Sequence, residues 1–208
     1  MSSAFYKLSE FFVIFILIPV VFTFQFNAWI KLSIGLIGFA YIVVLLLRVE
    51  KLLFKIASNL KWKIFFKDTF LKLLLIAFIT FLFVFFTDKD AFFNVMLHKP
   101  KLWVIILFVY SFFSVYPQEL IYRTFFFQRY KELISNETLF LFINAIVFSL
   151  GHIFFRNTLV LILTFFGGLL FAFTYSKTKS TLLVSIEHAI YGSWLFTVGM
   201  GDMLGFPS

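Results

Sequence analysis

Cysteine is absent from all 208 residues, which removes a disulfide framework, a thiolate metal site and a cysteine nucleophile at once. Charge is scarce too: Asp, Glu, Lys and Arg make up 13% of the chain, against about a quarter in an ordinary soluble domain. No internal repeat of the kind that marks transporter halves is seen. The net charge of +8 is spread over many connecting segments, so no compact basic domain exists to grip nucleic acid. Topology and anionic headgroups account for those bases, and membrane lipids are the expected neighbours.

What the chain has is apolar length. It is 62% hydrophobic with a mean hydropathy of +1.02. A spanning helix needs about 20 mostly apolar residues. Runs of that kind are centred near Leu17, Ile37, Ala77, Val109, Ile146, Phe166 and Ala189. The expected fold is therefore all-α, a polytopic transmembrane helical bundle of about seven spans, with six to eight as the range. The fourth run, Leu102 to Phe127, is too long for one upright span and reads as one tilted helix kinked at Pro117. The first run lacks a small-residue cleavage site and reads as a retained span.

Arg48, Lys51, Lys55, Lys61, Lys63, Lys67 and Lys72 cluster after the second span, Arg129 and Lys131 follow the fourth, and Lys177 and Lys179 follow the sixth. The positive-inside rule then puts the N-terminus in the cytoplasm of an inner (cell) membrane, and seven spans put the C-terminus outside. The stretch Arg48 to Asp68 mixes lysines with apolar residues, as an interfacial amphipathic helix or a simple loop would. It is also the one natural division, separating residues 1–68, two spans and a basic connection, from a core bundle at 69–208 expected to hold every buried polar group. Phenylalanine occurs 36 times; since bilayer insertion treats Phe and Leu alike, it reads as lipid-facing filler rather than a pocket lining.

Ionisable groups inside hydrocarbon cost about 2.5 kcal/mol or more, so those retained there point to function. Glu119 and Arg123 lie four apart on one helix face, where a charge-assisted pair forms. His152 comes late in the next span, with Gly151 beside it allowing close helix approach, and Glu187 and His188 sit in the last run. His98 lies in a loop. A carboxylate with two histidines is the minimum set for activating water: the carboxylate takes its proton, while the imidazoles hold a metal, typically zinc, or bond an oxyanion. The same residues would equally serve as a buried clamp between helices. Ser111, Ser114, Ser149 and Ser193 stand in no nucleophile motif.

The order of these residues resembles the CAAX protease and bacteriocin-processing (CPBP, or ABI) family of intramembrane endopeptidases, over about Val109 to Thr197. The family motifs EExxxR, FxxxH and HxxxN, with an acid as the alternative last residue, are met by Glu119 and Arg123, by Phe148 and His152, and by His188. The resemblance implies catalytic roles for Glu119, Arg123, His152 and His188, with His152 and His188 as the ligands of any metal. It places Gln118, Phe148 and Gly192 against the substrate. It implies a metalloprotease-like hydrolase acting on a peptide or membrane protein, prenylated in some members. Two positions depart from the pattern. Gln118 stands where the family has its first glutamate and has no proton-accepting carboxylate, while adjacent helix positions point about 100° apart, so Glu119 does not simply replace it. Gly192 stands where the family has Asn or Asp, and loss of one oxyanion donor costs about 10²-fold in rate. The alternatives are a family fold that binds a membrane partner without hydrolysis, and a small ion or proton transporter.

Overall fold

The computed structural model describes residues 3–51 and 60–205, and among them every regular element is helical. The long elements are α1 (Ala4–Phe22), α2 (Ala28–Arg48), α3 (Trp62–Thr87), α4 (Pro100–Leu133), α5 (Glu137–Leu150), α6 (Thr158–Thr178) and α7 (Thr181–Val198). Six helices are long and apolar enough to cross a membrane, in agreement with an all-α bundle of six to eight spans. The seventh predicted run forms α7, where Glu187 and His188 dilute the apolar character that the others have. Residues 52–59 of the basic connection lie outside the described residues, while Trp62 to Asp68 belong to the first turns of α3.

Short polar residues start the helices. The Asn27, Asn136, Asn157 and Ser180 side chains accept from the backbone N–H groups of Trp29, Leu139, Leu159 and Leu183 at 2.9, 2.9, 2.9 and 3.3 Å. Each cap satisfies a donor that an apolar surrounding would leave bare, worth about 1 kcal/mol. The prolines inside α1 and α4 share one solution. Pro19 follows the π-turn Val13–Leu17 and Pro117 follows the π-turn Tyr110–Val115. A proline lacks the N–H its helix needs and crowds the carbonyl four residues earlier, and widening the preceding turn relieves both. α4 therefore runs on through Pro117, and a second π-turn, Leu120–Phe125, follows at once.

The chain forms two compact units. The first combines Met1–Lys55 with Gln118–Lys179 and so holds α1, α2, the later part of α4, α5 and α6. Its α5 and α6 pack backbone to backbone, since a Cβ on Gly168 would lie 3.1 Å from the Ala145 Cα. Around Phe15, which is fully buried, the rings of Phe11, Tyr122, Phe126 and Tyr130 meet at 5.4 to 5.9 Å.

This unit corrects one expectation: the core bundle does not hold every buried polar group. Glu10, in α1, is buried and receives Arg129 Nε at 2.8 Å, Tyr130 Oη at 2.9 Å and Tyr41 Oη at 2.7 Å, while Arg129 Nη1 also reaches Glu50 at 3.0 Å. Glu10, the one acid before Glu50, at the head of the first apolar run, was the overlooked signal. Its charge is tolerable only because a guanidinium and two phenols from α2 and α4 surround it.

The second unit combines Ile56–Pro117 with Ser180–Ser208, and so holds α3, the earlier part of α4, and α7. Trp194 Nε1 donates to Thr80 Oγ1 at 2.8 Å, and Trp103 Nε1 to Thr197 Oγ1 at 3.0 Å, pinning α7 to both other helices. Ile106, Tyr110, Val115 and Phe196 form its buried core. Phenylalanine serves both ends of the solvent scale: Phe78 and Phe86 face outward, as filler should, whereas Phe125, Phe126 and Phe148 are core.

Candidate active site

Glu119 ends the short α-turn between the two π-turns of α4, and Arg123 lies in the second of them. Both side chains are fully buried, with Arg123 Nε 3.2 Å from Glu119 Oε2. The predicted i, i+4 pair is therefore formed. Arg123 is held from a second helix as well: its Nη1 donates to Asn144 Oδ1 at 2.6 Å, and Asn144 Nδ2 donates to the Tyr122 carbonyl at 2.6 Å. The guanidinium also lies over the Phe148 ring at 4.7 Å. Charge, hydrogen bond and ring together fix the plane of the guanidinium, and through it the Glu119 carboxylate.

Phe148, expected against substrate, is buried and lies between Arg123 and the Tyr122 ring, which it meets edge-on at 5.2 Å. His152 is half-buried in the turn just past α5, with its ring 4.9 Å from that of Phe148. Its Nδ1 lies 2.8 Å from the Phe148 carbonyl. A carbonyl only accepts, so Nδ1 carries the proton. In the neutral form of the ring the acceptor is then Nε2. Gly151 is needed because the Tyr122 hydroxyl end occupies the space a side chain there would take. Gln118 is half-buried beside Glu119.

Asn144 is the residue that reasoning from sequence missed. Asn144 and Phe148 lie four apart on one face of α5 and His152 follows four residues later in the turn past it, so the FxxxH pattern extends one turn back to a lone amide in an apolar helix. That spacing was a usable signal.

In the second unit, His188 is buried in α7 with its ring edge-on to that of Tyr110, centroids 6.0 Å apart. Gly192, one turn on, lies directly against the Tyr110 phenol. Glu187 is buried and committed: Lys72 Nζ lies 2.7 Å and Tyr191 Oη 2.9 Å from its Oε1. It points away from the His188 face, as neighbours on a helix do. Among the described residues, no three His, Cys, Asp or Glu side chains are grouped so as to hold a metal ion.

Residues 100–194 match the family model described as "Type II CAAX prenyl endopeptidase Rce1-like". The matched stretch contains Gln118, Glu119, Arg123, Phe148, His152, His188 and Gly192. The comparison with curated proteins and that with solved structures each give no match. Six apolar helices together with this match make the chain an integral multi-pass membrane protein.

Proposed function

We propose, for a chain whose residues 100–194 belong to the CAAX protease and bacteriocin-processing family, an intramembrane endopeptidase that hydrolyses a peptide bond near the membrane surface. The observation that carries it is the fully buried Glu119–Arg123 pair, locked by Asn144 and Phe148 within the matched segment. Glu119 is the general base. Water oxygen adds to the scissile carbonyl carbon while its proton passes to the Glu119 carboxylate, and the carbonyl becomes a tetrahedral oxyanion. The C–N bond then breaks, and the proton held by Glu119 goes to the leaving amine. Arg123 orients the carboxylate. His152, in the neutral tautomer whose Nε2 is the acceptor, takes the second water hydrogen in a hydrogen bond and so aims the oxygen. A peptide or membrane-protein chain is the substrate, with a prenylated tail as one class. The N-terminus is cytoplasmic, by the distribution of Lys and Arg.

A binding protein without hydrolysis is the second reading, favoured by one observation: Gln118 offers an amide where the family pattern has a carboxylate. One experiment separates the two. Detergent-purified protein is incubated with a library of peptides that includes prenylated tails, for wild type, Glu119→Gln, His152→Ala and Gln118→Glu. Cleavage by wild type that is lost in Glu119→Gln and His152→Ala supports the protease. Cleavage by Gln118→Glu alone supports the binding protein. A parallel arm with a chelator tests zinc: retained cleavage supports the metal-free steps, and loss restored by zinc overturns them.

A further inference from the structure

The first unit has a cavity that the described residues leave open. It measures about 490 Å³ and lies between α1 and α2, lined by Val13, Ile14 and Ile18 on one helix and by Ile34, Ile37 and Gly38 on the other. It opens outward, since Val13 and Ile37 are exposed. A Cβ added at Gly38 would meet nothing within 4 Å. Glycine weakens a helix, and elsewhere in this unit such bareness is used, Gly168 lying against Ala145. Gly38 faces open space, so what uses it comes from outside the described residues.

One end of the slot is polar, closed by Tyr6, Ser9, Glu10 and Tyr41. The Tyr41 O–H donates to Glu10 Oε2 at 2.7 Å, so the 2.8 Å bond between the two phenols is donated by Tyr6. Glu10 is held in turn by Arg129, which also reaches Glu50, and Lys7 pairs with Glu132 at 3.3 Å. Those pairs use the acids at this end. Arg48 and Lys51, both exposed, lie outside them and tip the balance positive. Arg48 stands two turns after Tyr41 on the same face of α2, about 10 Å further along the axis. Its long side chain reaches back toward a headgroup whose tail enters the slot.

Dimensions select the occupant. From Tyr6 to Ile18 the slot runs about 18 Å at the helical rise, close to the ~15 Å that one leaflet contributes to a hydrocarbon core. A helix of a second copy, about 10 Å across, would need roughly 1,400 Å³ over that length, well beyond the 490 Å³ present. A single acyl chain is slender enough.

We propose that this slot binds an anionic phospholipid, one acyl chain lying along Gly38 and the phosphate meeting Arg48 and Lys51. Ser9 supplies the hydroxyl that donates to an ester carbonyl where the chain leaves the slot. Because the Glu10 cluster at the mouth joins α1, α2 and α4, an occupied slot steadies the whole first unit. The proposal is independent of the hydrolase reading.

The test melts the detergent-purified full chain by far-UV circular dichroism with phosphatidylglycerol or phosphatidylcholine of identical chains, and native mass spectrometry records which lipid stays bound. The variants are Gly38→Leu, which fills the slot, and Arg48→Gln combined with Lys51→Gln. The expected result is one retained phosphatidylglycerol and a Tm rise of about 5 to 10 °C at about a hundred times its Kd, with neither effect from phosphatidylcholine. Gly38→Leu should melt like lipid-free wild type and lose both effects, and the double variant should lose the preference for phosphatidylglycerol. Equal effects from the two lipids overturn the proposal, as does a full phosphatidylglycerol shift in Gly38→Leu. A dimer that Gly38→Leu dissociates, with no lipid retained by wild type, overturns it in favour of a second copy. Should Gly38→Leu melt early, the double variant decides: lost preference supports the site, and kept preference overturns it.

Discussion

Replacing Arg123 with Met is the most revealing perturbation of the first unit. The guanidinium lies 3.2 Å from a carboxylate that has no exposure at all, donates to Asn144 at 2.6 Å, and covers Phe148 at 4.7 Å. Truncating one partner of such a pair leaves a buried charge uncompensated and costs about 3 to 5 kcal/mol, whereas an exposed pair is worth about 0.2 to 1 kcal/mol. Removing both charges behaves differently, because the surviving cost is then the Asn144 oxygen that loses its donor, about 1 to 3 kcal/mol. The double variant Glu119→Gln with Arg123→Met is therefore expected to be more stable than Arg123→Met alone. The assay is unfolding in mixed micelles by increasing the share of a denaturing detergent, followed by far-UV circular dichroism. An Arg123→Met loss below about 1 kcal/mol, the level of an exposed pair, would refute the claim of a desolvated pair. So would a double variant less stable than the single one.

Three further outcomes are expected. Gly168→Leu should destabilise the first unit by about 1 to 3 kcal/mol in the same unfolding assay, because a Cβ there already meets the Ala145 Cα at 3.1 Å and the Phe148 ring at 3.2 Å. Glu187→Gln should keep the wild-type kcat while lowering stability, since Glu187 is spent on Lys72 and Tyr191; a loss of cleavage in a folded variant would make it part of the chemistry. Lys179, at the C-terminal end of α6 and outside its span, has its amine lowered from the ordinary 10.5 by burial and then by Lys131, with Glu137 opposing. The unfolded chain then binds more protons than the folded one just below 10.5, so this group makes stability rise as pH climbs through that window. Thermal melting across that range should show the rise in wild type and a flatter profile in Lys179→Gln.

Periodicity and spacing made the Glu119–Arg123 pair legible, because two residues four apart on a helix meet whatever surrounds them. Asn144 was half-legible: its spacing to Phe148 and His152 is visible in the sequence, but only a partner across the helix gap says that it holds Arg123. Glu10 was legible as an oddity and illegible in role, since Arg129 and Tyr130 join it from about 120 residues away in the chain. The tautomer of His152 needed the Phe148 carbonyl at 2.8 Å. Gly192 read from sequence as a loss, and became a notch for Tyr110 only when α4 and α7 were seen side by side.

By itself, then, the sequence determined the solvent and the fold class: long apolar runs leave every backbone polar group to be satisfied within its own segment, and helices do that locally. It also set which ionisable residues are costly enough to need a reason. Tertiary structure decided the partners of those residues, because pairing across helices depends on which faces approach and how closely. Small residues such as Gly151, Gly168 and Gly192 govern that approach through the side chains they lack, and what enters the vacated space is set by a distant part of the chain.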